Sequence, residues 1–318
     1  MSNTATQYSR ASELGLGQAK EDLPVRVPTS RRVTNLFAVL IPFAAVVLAI
    51  VWSWGHGINL AGLAVLCGMI VITGYGITIG YHRLFTHRSF QTYSMVQFFL
   101  AVCGSMAVEG PLMRWVATHR KHHQCSDVPG DPHSPHLHDS NGLRGLVVGL
   151  WHAHAGWLLD RCEPNMARYA GDLRKSRMLR LVSRLFPLWV LIGLTLPMAA
   201  GGLITGTWGG AALGLLWGGL VRIFLVHHIT WSINSICHCF GRQPFNCKDE
   251  SRNNVVMGVL AFGEGWHNNH HAFPSSARHG LAWWQFDSSY LIIRLMEKLR
   301  LAWNLRLPTD DMIELARR

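Results

Sequence analysis

Residues 33–82, and again residues 185–221, contain no Asp, Glu, Lys or Arg, and nothing else in the 318-residue chain restricts its fold so strongly. A hydrocarbon core takes roughly 20 apolar residues per helix, so each run has room for two crossings joined by a tight turn. Both contain one: "SWGHGIN" at 53–59 and "GGLITGTWGG" at 201–210, each made of residues that punctuate helices. Four transmembrane helices are therefore expected, over about 34–54, 58–80, 185–203 and 207–226.

Short cytoplasmic segments carry the excess of Lys and Arg. The two turns carry none, whereas Arg26, Arg31 and Arg32 precede the first helix and Arg174, Lys175, Arg177, Arg180 and Arg184 crowd the approach to the third. This distribution places both termini and the central segment on the cytoplasmic side of the membrane. The expected organisation is a disordered lead without a signal-peptide core over 1–32, helices one and two over 33–82, a cytoplasmic cap over 83–184, helices three and four over 185–226, and more cap with a C-terminal helix over 227–318. Arg222, near the cytoplasmic end of the fourth span, is expected to snorkel to the headgroups. The formal charge of +11 gathers beside the spans and not in a block with interleaved aromatics, which sets nucleic acid aside in favour of anionic headgroups, an anionic substrate or an acidic protein partner. The seven Cys form no paired C-x-x-C, and even Cys237 and Cys239, flanking His238, read as structural thiols.

The histidines carry the chemistry. H-x-x-H-H occurs twice, as His119, His122 and His123 and as His267, His270 and His271. By accident one such pattern is expected about 0.06 times in a chain with this His content, and two about 0.002 times. On a helix these positions fall within an arc of about 100°, so each set presents three rings to one side and suits one metal centre. His82 and His87 are five apart. That is about 140° around a helix, so they ligate two different metals or the helix loosens between them. After the last span, Asn234 and His238 share a helix face. The boxes and His238 together give nine nitrogen donors on one side of the membrane, enough for two metal ions with open positions. Imidazole ligation alone fits Zn, Cu, Fe or Ni. The surplus over what one zinc needs points to two irons that activate dioxygen. Such a site calls for carboxylates that accept the other ring N–H, and Glu109, Asp127, Asp131 and Glu264 are the candidates near in sequence. His133, His136, His138, His152 and His154 lack the three-ring spacing and read as polar contacts or outer groups. Residues 89–108 are uncharged and nearly long enough to cross. Crossing would separate the first two boxes, so an interfacial or re-entrant segment is expected. No haem or dinucleotide signature is present, which leaves electrons to an external carrier.

"GYHRLFTHRSF", "WVATHRKHHQCSDVPGDPHS", "WSINSICH" and "GEGWHNNHHAFP" resemble the motifs of the membrane fatty acyl desaturases, in particular the bacterial Δ9 acyl-CoA branch similar to stearoyl-CoA desaturase, over roughly 73–284. The resemblance implies an all-α integral membrane protein, four transmembrane helices with a cytoplasmic helical cap holding a histidine-rich dimetal site. It implies an oxidoreductase with two iron ions (Fe2+/Fe3+) and dioxygen as co-substrate, which places a cis double bond, first of all at Δ9, in a saturated long-chain acyl group. His82, His87, His119, His122, His123, His238, His267, His270 and His271 match the family's metal ligands, and Asn234 the position that reaches a metal through water. Trp115 matches a residue lining a bent substrate tunnel, Gly74 one that sets its depth and would leave it open, and Arg161 a headgroup contact. Electrons would come from a ferredoxin, a cytochrome b5-like protein or a flavin/iron–sulfur reductase. Ala117 stands where some animal acyl-CoA enzymes have Arg, and Cys162 where they are basic. Acyl-CoA is therefore the first carrier expected and an acyl-lipid (phospholipid) the second. The alternatives are a membrane di-iron hydroxylase and, from another class, a metal transporter or haem-binding membrane protein, which would set its histidines near the bilayer midplane.

Overall fold

A computed structural model of the protein describes residues 23–57, 59–137 and 142–317. Among them four helices have the length and apolarity to cross a bilayer: Thr29–His56, Leu60–Thr86, Phe186–Thr205 and Trp208–His238. Shorter helices pack around the ends of the second and fourth. The only strands among the described residues are two antiparallel ribbons, Val25–Arg26 with Cys162–Glu163 and Gln91–Thr92 with Ala302–Trp303. The expected fold class is the one observed, and the seven cysteines are free.

Both hairpin turns fall where the sequence puts them. Gly206 takes the left-handed conformation (φ 67°) that ends Phe186–Thr205, and the Thr207 hydroxyl accepts from the Gly210 N–H to start the next helix. In the first hairpin the Asn59 side chain accepts from the Gly62 N–H.

The second and fourth spans run past their expected ends at 80 and 226, because backbone hydrogen bonding continues where hydropathy stops. Each also changes character on the way. The second span is an α-helix over Leu60–Tyr75 and passes into a π-helix over Gly76–Thr86. The fourth span starts as an α-helix over Trp208–Gly214, passes through a π-helical segment at Leu215–Val221, and continues as Arg222–Ser235. A π-helix bonds i to i+5 and is rare outside functional regions.

Two expectations need correction, the disordered lead and the snorkelling Arg222, while residues 89–108 stay short of a crossing as expected. The lead is ordered from Leu23 onward: its ribbon with Cys162–Glu163 is reinforced by Arg31 on Glu163 (2.5 Å) and by Arg32 Nε donating to the Leu159 carbonyl. Residues 1–22 lie outside those described. Residues 89–108 contain a helix of only 13 residues, Ser94–Met106, about 20 Å long and short of the roughly 30 Å core. It packs against the π-helical segment, where the Tyr81 and Ser105 hydroxyls pair at 2.8 Å. Arg222 does not snorkel. It is fully buried and donates to the carbonyls of Met106, Gly193 and Gly218, tying Ser94–Met106 to the third and fourth spans.

Candidate metal centre

The π-helix explains the five-residue spacing of the first box. The His87 N–H donates to the His82 carbonyl at 3.1 Å, so the two residues sit about one turn apart and their ring centroids are 4.7 Å apart. Of the two readings left open by the sequence, the loosened helix is the one observed.

The nine box histidines converge into two groups whose ligand atoms lie within 4.8 Å of one another: His82, His87, His119, His123 and His270 in one, and His122, His238, His267 and His271 in the other. This corrects the expectation of one centre per H-x-x-H-H set. Leu112–Gln124 and His267–Ala272 each wedge between the groups. The arc of about 100° is wide enough for each helix to lean rings to both sides. His119 and His123 therefore join the first group and His122 the second, while His270 joins the first and His267 and His271 the second.

The ring geometry fits a bound cation. His82 Nε2 and His270 Nε2 are 3.1 Å apart, His123 Nε2 is 2.9 Å from His270 Nε2 and 3.1 Å from His119 Nε2, and His267 Nε2 is 3.0 Å from His238 Nε2 and 3.1 Å from His271 Nε2. The opposite nitrogens of four rings meet carboxylates. His82 Nδ1 lies 2.5 Å from Glu264, His122 Nδ1 2.9 Å from Asp131, His238 Nδ1 2.8 Å from Asp127 and His271 Nδ1 2.7 Å from Asp249. A neutral imidazole has one N–H, and a carboxylate at Nδ1 keeps it there, so lone pairs face one another across each group until a cation comes between them. His87 Nε2 and His122 Nε2 are buried without a hydrogen-bond partner, as unsatisfied donor atoms of such a set would be.

Electrostatics points the same way. Burial, then the neighbouring rings, holds His87, His119, His123, His267, His270 and His271 well below the usual imidazole range, so their lone pairs are free. At His122 burial is outweighed by Asp131, which pushes the ring up. Asp131 itself, despite burial, is drawn down to about 2 by His122 and His133. Asp127 is held well below the usual carboxylate range by His238, the Ser134 hydroxyl and the Glu250 N–H, again against its burial.

Of the outer carboxylates singled out by sequence, Asp127, Asp131 and Glu264 reach a histidine. Glu109 does not: it accepts from Trp115 Nε1 at 2.9 Å, and Trp115 stacks on His119 with ring centroids 5.1 Å apart. Burial pushes the Glu109 carboxyl up to about 7. Sequence reasoning missed Asp249, His279 and Arg83. Arg83 is fully buried, 3.2 Å from Glu264 and 3.0 Å from Asp287, and His279 Nδ1 lies 3.5 Å from Glu264. Asp249 and His279 sit in irregular segments outside any box, where no spacing marks them. Of the outer histidines, His133 packs on His122, His136 Nε2 donates to the His238 carbonyl, and His154 bonds Ser235 and His228. His152 lines the larger cavity described next, and His138 lies outside the described residues.

Two cavities meet at the first group. One of about 990 Å3 is lined by Glu109, Trp115, His119 and Asn234, and by Arg31 and Arg161. The other, of about 50 Å3, shares Trp115, His119, Thr230 and Asn234, and continues among Ile70, Gly74, Ile77, Val226, Ile229, Ile233 and Phe262. Gly74 does not leave this end open. A Cβ there would lie 2.4 Å from Phe262 Cε2, so the phenyl ring already fills the space.

The fatty acid desaturase family model matches residues 58–304. The chain is 45% identical over 276 residues to a hex-5-enoyl-(acyl-carrier protein) acetylenase of Moorena producens (strain JHB), covering 86% of each protein. It is 40% identical to an sn-1 stearoyl-lipid 9-desaturase of Anabaena variabilis over 80% of this chain and 86% of that one. It is 35% identical to an icosanoyl-CoA 5-desaturase of Limnanthes douglasii, over 95% and 80%. With buried histidine groups suited to a metal centre, four membrane-length helices and this extent of similarity, the chain belongs to the fatty acid desaturase family.

Proposed function

We propose that the protein is an oxygen-dependent acyl desaturase that sets a cis double bond at Δ9 of a saturated acyl chain. In this reading His82, His87, His119, His123 and His270 hold one iron, and His122, His238, His267 and His271 the other, with Asn234 reaching a metal through water. The observation that carries it is the meeting of a small, mostly apolar cavity and a large one beside the first ring group, which would give an acyl chain a path past the metals. Two irons held there would supply the oxidising power, with dioxygen reduced to two waters by two chain hydrogens, two electrons from an external carrier protein and two protons. The rest is the work of the chain's own residues. Aspartates and Glu264 fix the ring tautomers, Trp115 braces His119 and bounds the passage, and the apolar end keeps water from the reacting carbons. The site faces the cytoplasm of a bacterial cell in this reading, and protease accessibility of the 142–184 region in oriented vesicles reads its side.

Acyl-CoA is the first carrier proposed, supported by Arg31, Arg114 and Arg161 along the larger cavity, where phosphates would meet guanidinium groups. The stearoyl-lipid specificity of the Anabaena relative favours an acyl-lipid as the second. Expression in a host that makes no unsaturated fatty acids, followed by chromatography of total acyl chains, tests the function. A new double bond is expected from the wild type and none from His270→Ala. A hydroxylated chain would replace this reading with that of a hydroxylase, and full product from His270→Ala would remove that ring from the ligand set.

A further inference from the structure

We propose that residues 255–262 and 281–286 of the C-terminal cap dock on the cytoplasmic leaflet of the bilayer, so that the chain leading into the third histidine box contacts lipid and not cytosol. The proposal rests on the four spans crossing a bilayer and is independent of the reaction. Neither stretch carries charge: no Asp, Glu, Lys or Arg occurs over 253–263 or over 279–286. The helix Val255–Leu260 buries Met257 and Gly258 and turns Val255, Val256, Val259 and Leu260 outward, each more than half exposed. These four positions fall within an arc of about 140°, so they form one continuous aliphatic face. Such a face is unfavourable in water and is the kind of patch that marks a contact.

Depth decides what covers it. The Phe262 ring packs on Gly74 and lies 4.9 Å from the ring of Tyr75. From Leu60, where the second span starts, Gly74 is about 21 Å along the helix and therefore inside a core roughly 30 Å thick. Met257 and Ala261 pack with Ile233, which is about 37 Å along the fourth span from its start at Trp208 and therefore just beyond that core. The helix thus straddles the cytoplasmic edge of the hydrocarbon, and a soluble partner would have to enter the leaflet to reach its outer face. Beside it stand Trp283, 93% exposed, and Trp284 and Phe286, each about half exposed. Indole rings gather at this level of a bilayer. The two stretches form one surface because Trp266 joins them. Its ring meets that of Trp284 edge to face at 5.3 Å, its Nε1 donates to the Phe286 carbonyl at 2.8 Å, and a Cβ on Gly258 would lie 2.7 Å from it. Trp266 immediately precedes His267, so this contact sets the height of the third box above the bilayer.

The test places a photoreactive benzophenone side chain at Val256 or Val259 of the full-length protein in lipid nanodiscs and reads adducts by mass spectrometry after irradiation. A lipid adduct is expected at both positions, as at Leu48, 56% exposed on the first span, and none at Lys248, an exposed polar position of the same cap. A crosslink from Val256 to a second copy of the chain, or no lipid adduct at Val256 and Val259 where Leu48 gives one, overturns the proposal. No adduct at Leu48 overturns the spans themselves, and the proposal with them. A second measurement uses Trp283→Phe, a replacement that its exposure makes harmless to the fold. The emission assigned to Trp283 by difference should fall by about half or more when the nanodisc lipid carries bromine near the top of its acyl chains, and should respond little to aqueous iodide. Quenching by iodide without quenching by the brominated lipid overturns the proposal.

Discussion

The two histidine groups use the same ring and differ in what stands behind it. Behind the four-ring group are three aspartates, Asp127, Asp131 and Asp249, each on a different Nδ1. Behind the five-ring group Glu264 alone reaches an Nδ1, at His82, and it shares its charge with the buried guanidinium of Arg83. The group with more rings thus has less negative charge to offset a cation. The difference teaches that ring number and charge compensation are set separately, the first by helix spacing and the second by loops, and that two metals bound here would be held unequally, the five-ring one more loosely.

That inequality can be broken in order of effect. Arg83→Ala strips the cation from Glu264 and Asp287, both buried, and should cost about 3–5 kcal/mol, read as a lower Tm in detergent. An unchanged Tm would mean that the guanidinium offsets nothing. Next, a chelator should empty the wild type in two steps followed by metal analysis, the five-ring group first. Asp131→Asn should weaken the four-ring group about 10–100-fold and merge the two steps. One-step release from the wild type would dissolve the distinction. The smallest effect is expected outside the groups, at Asp172. Arg120 donates to the carbonyls of Phe85 and Thr86 and to Asp172, so this carboxylate supports the end of the π-helix that leads to His87. Burial would raise Asp172, but Arg120 and Arg88 bring it down to about 2. A carboxylate with a depressed folded pKa stabilises above its unfolded value near 3.8, and that contribution disappears as pH falls toward 2. Asp172→Asn should therefore cost no more than about 1 kcal/mol at pH 7, because the pair is partly exposed, and progressively less as pH falls through about 2. A penalty as large at pH 2 as at pH 7 would deny the ion pair its role.

Much of this architecture could be read from the sequence, for definite reasons. Charge-free runs mark spans because a bilayer penalises charge over a fixed length, and helical spacing marks His119, His122 and His123 because it is a property of one helix alone. Which neighbour meets a face is not such a property. The division of each H-x-x-H-H set between two groups therefore stayed hidden, as did Asp249 and His279, which arrive from loops with no periodicity. Arg222 was misread because hydropathy records its depth and not the three carbonyls that surround it. The Phe262 ring against Gly74 lies beyond sequence reasoning because the two residues are 188 positions apart and meet only through packing.

The π-helical turn at Gly76–Thr86 also ties residue count to helix type. Five residues from His82 to His87 complete about one turn only because the bonds there run i to i+5. Deleting a single residue between them should leave both rings in place if the segment tightens to an α-helix, whereas the same deletion in Leu112–Gln124, already α-helical, would swing a ring out of its group. Two boxes that look alike as text would thus tolerate insertions and deletions differently.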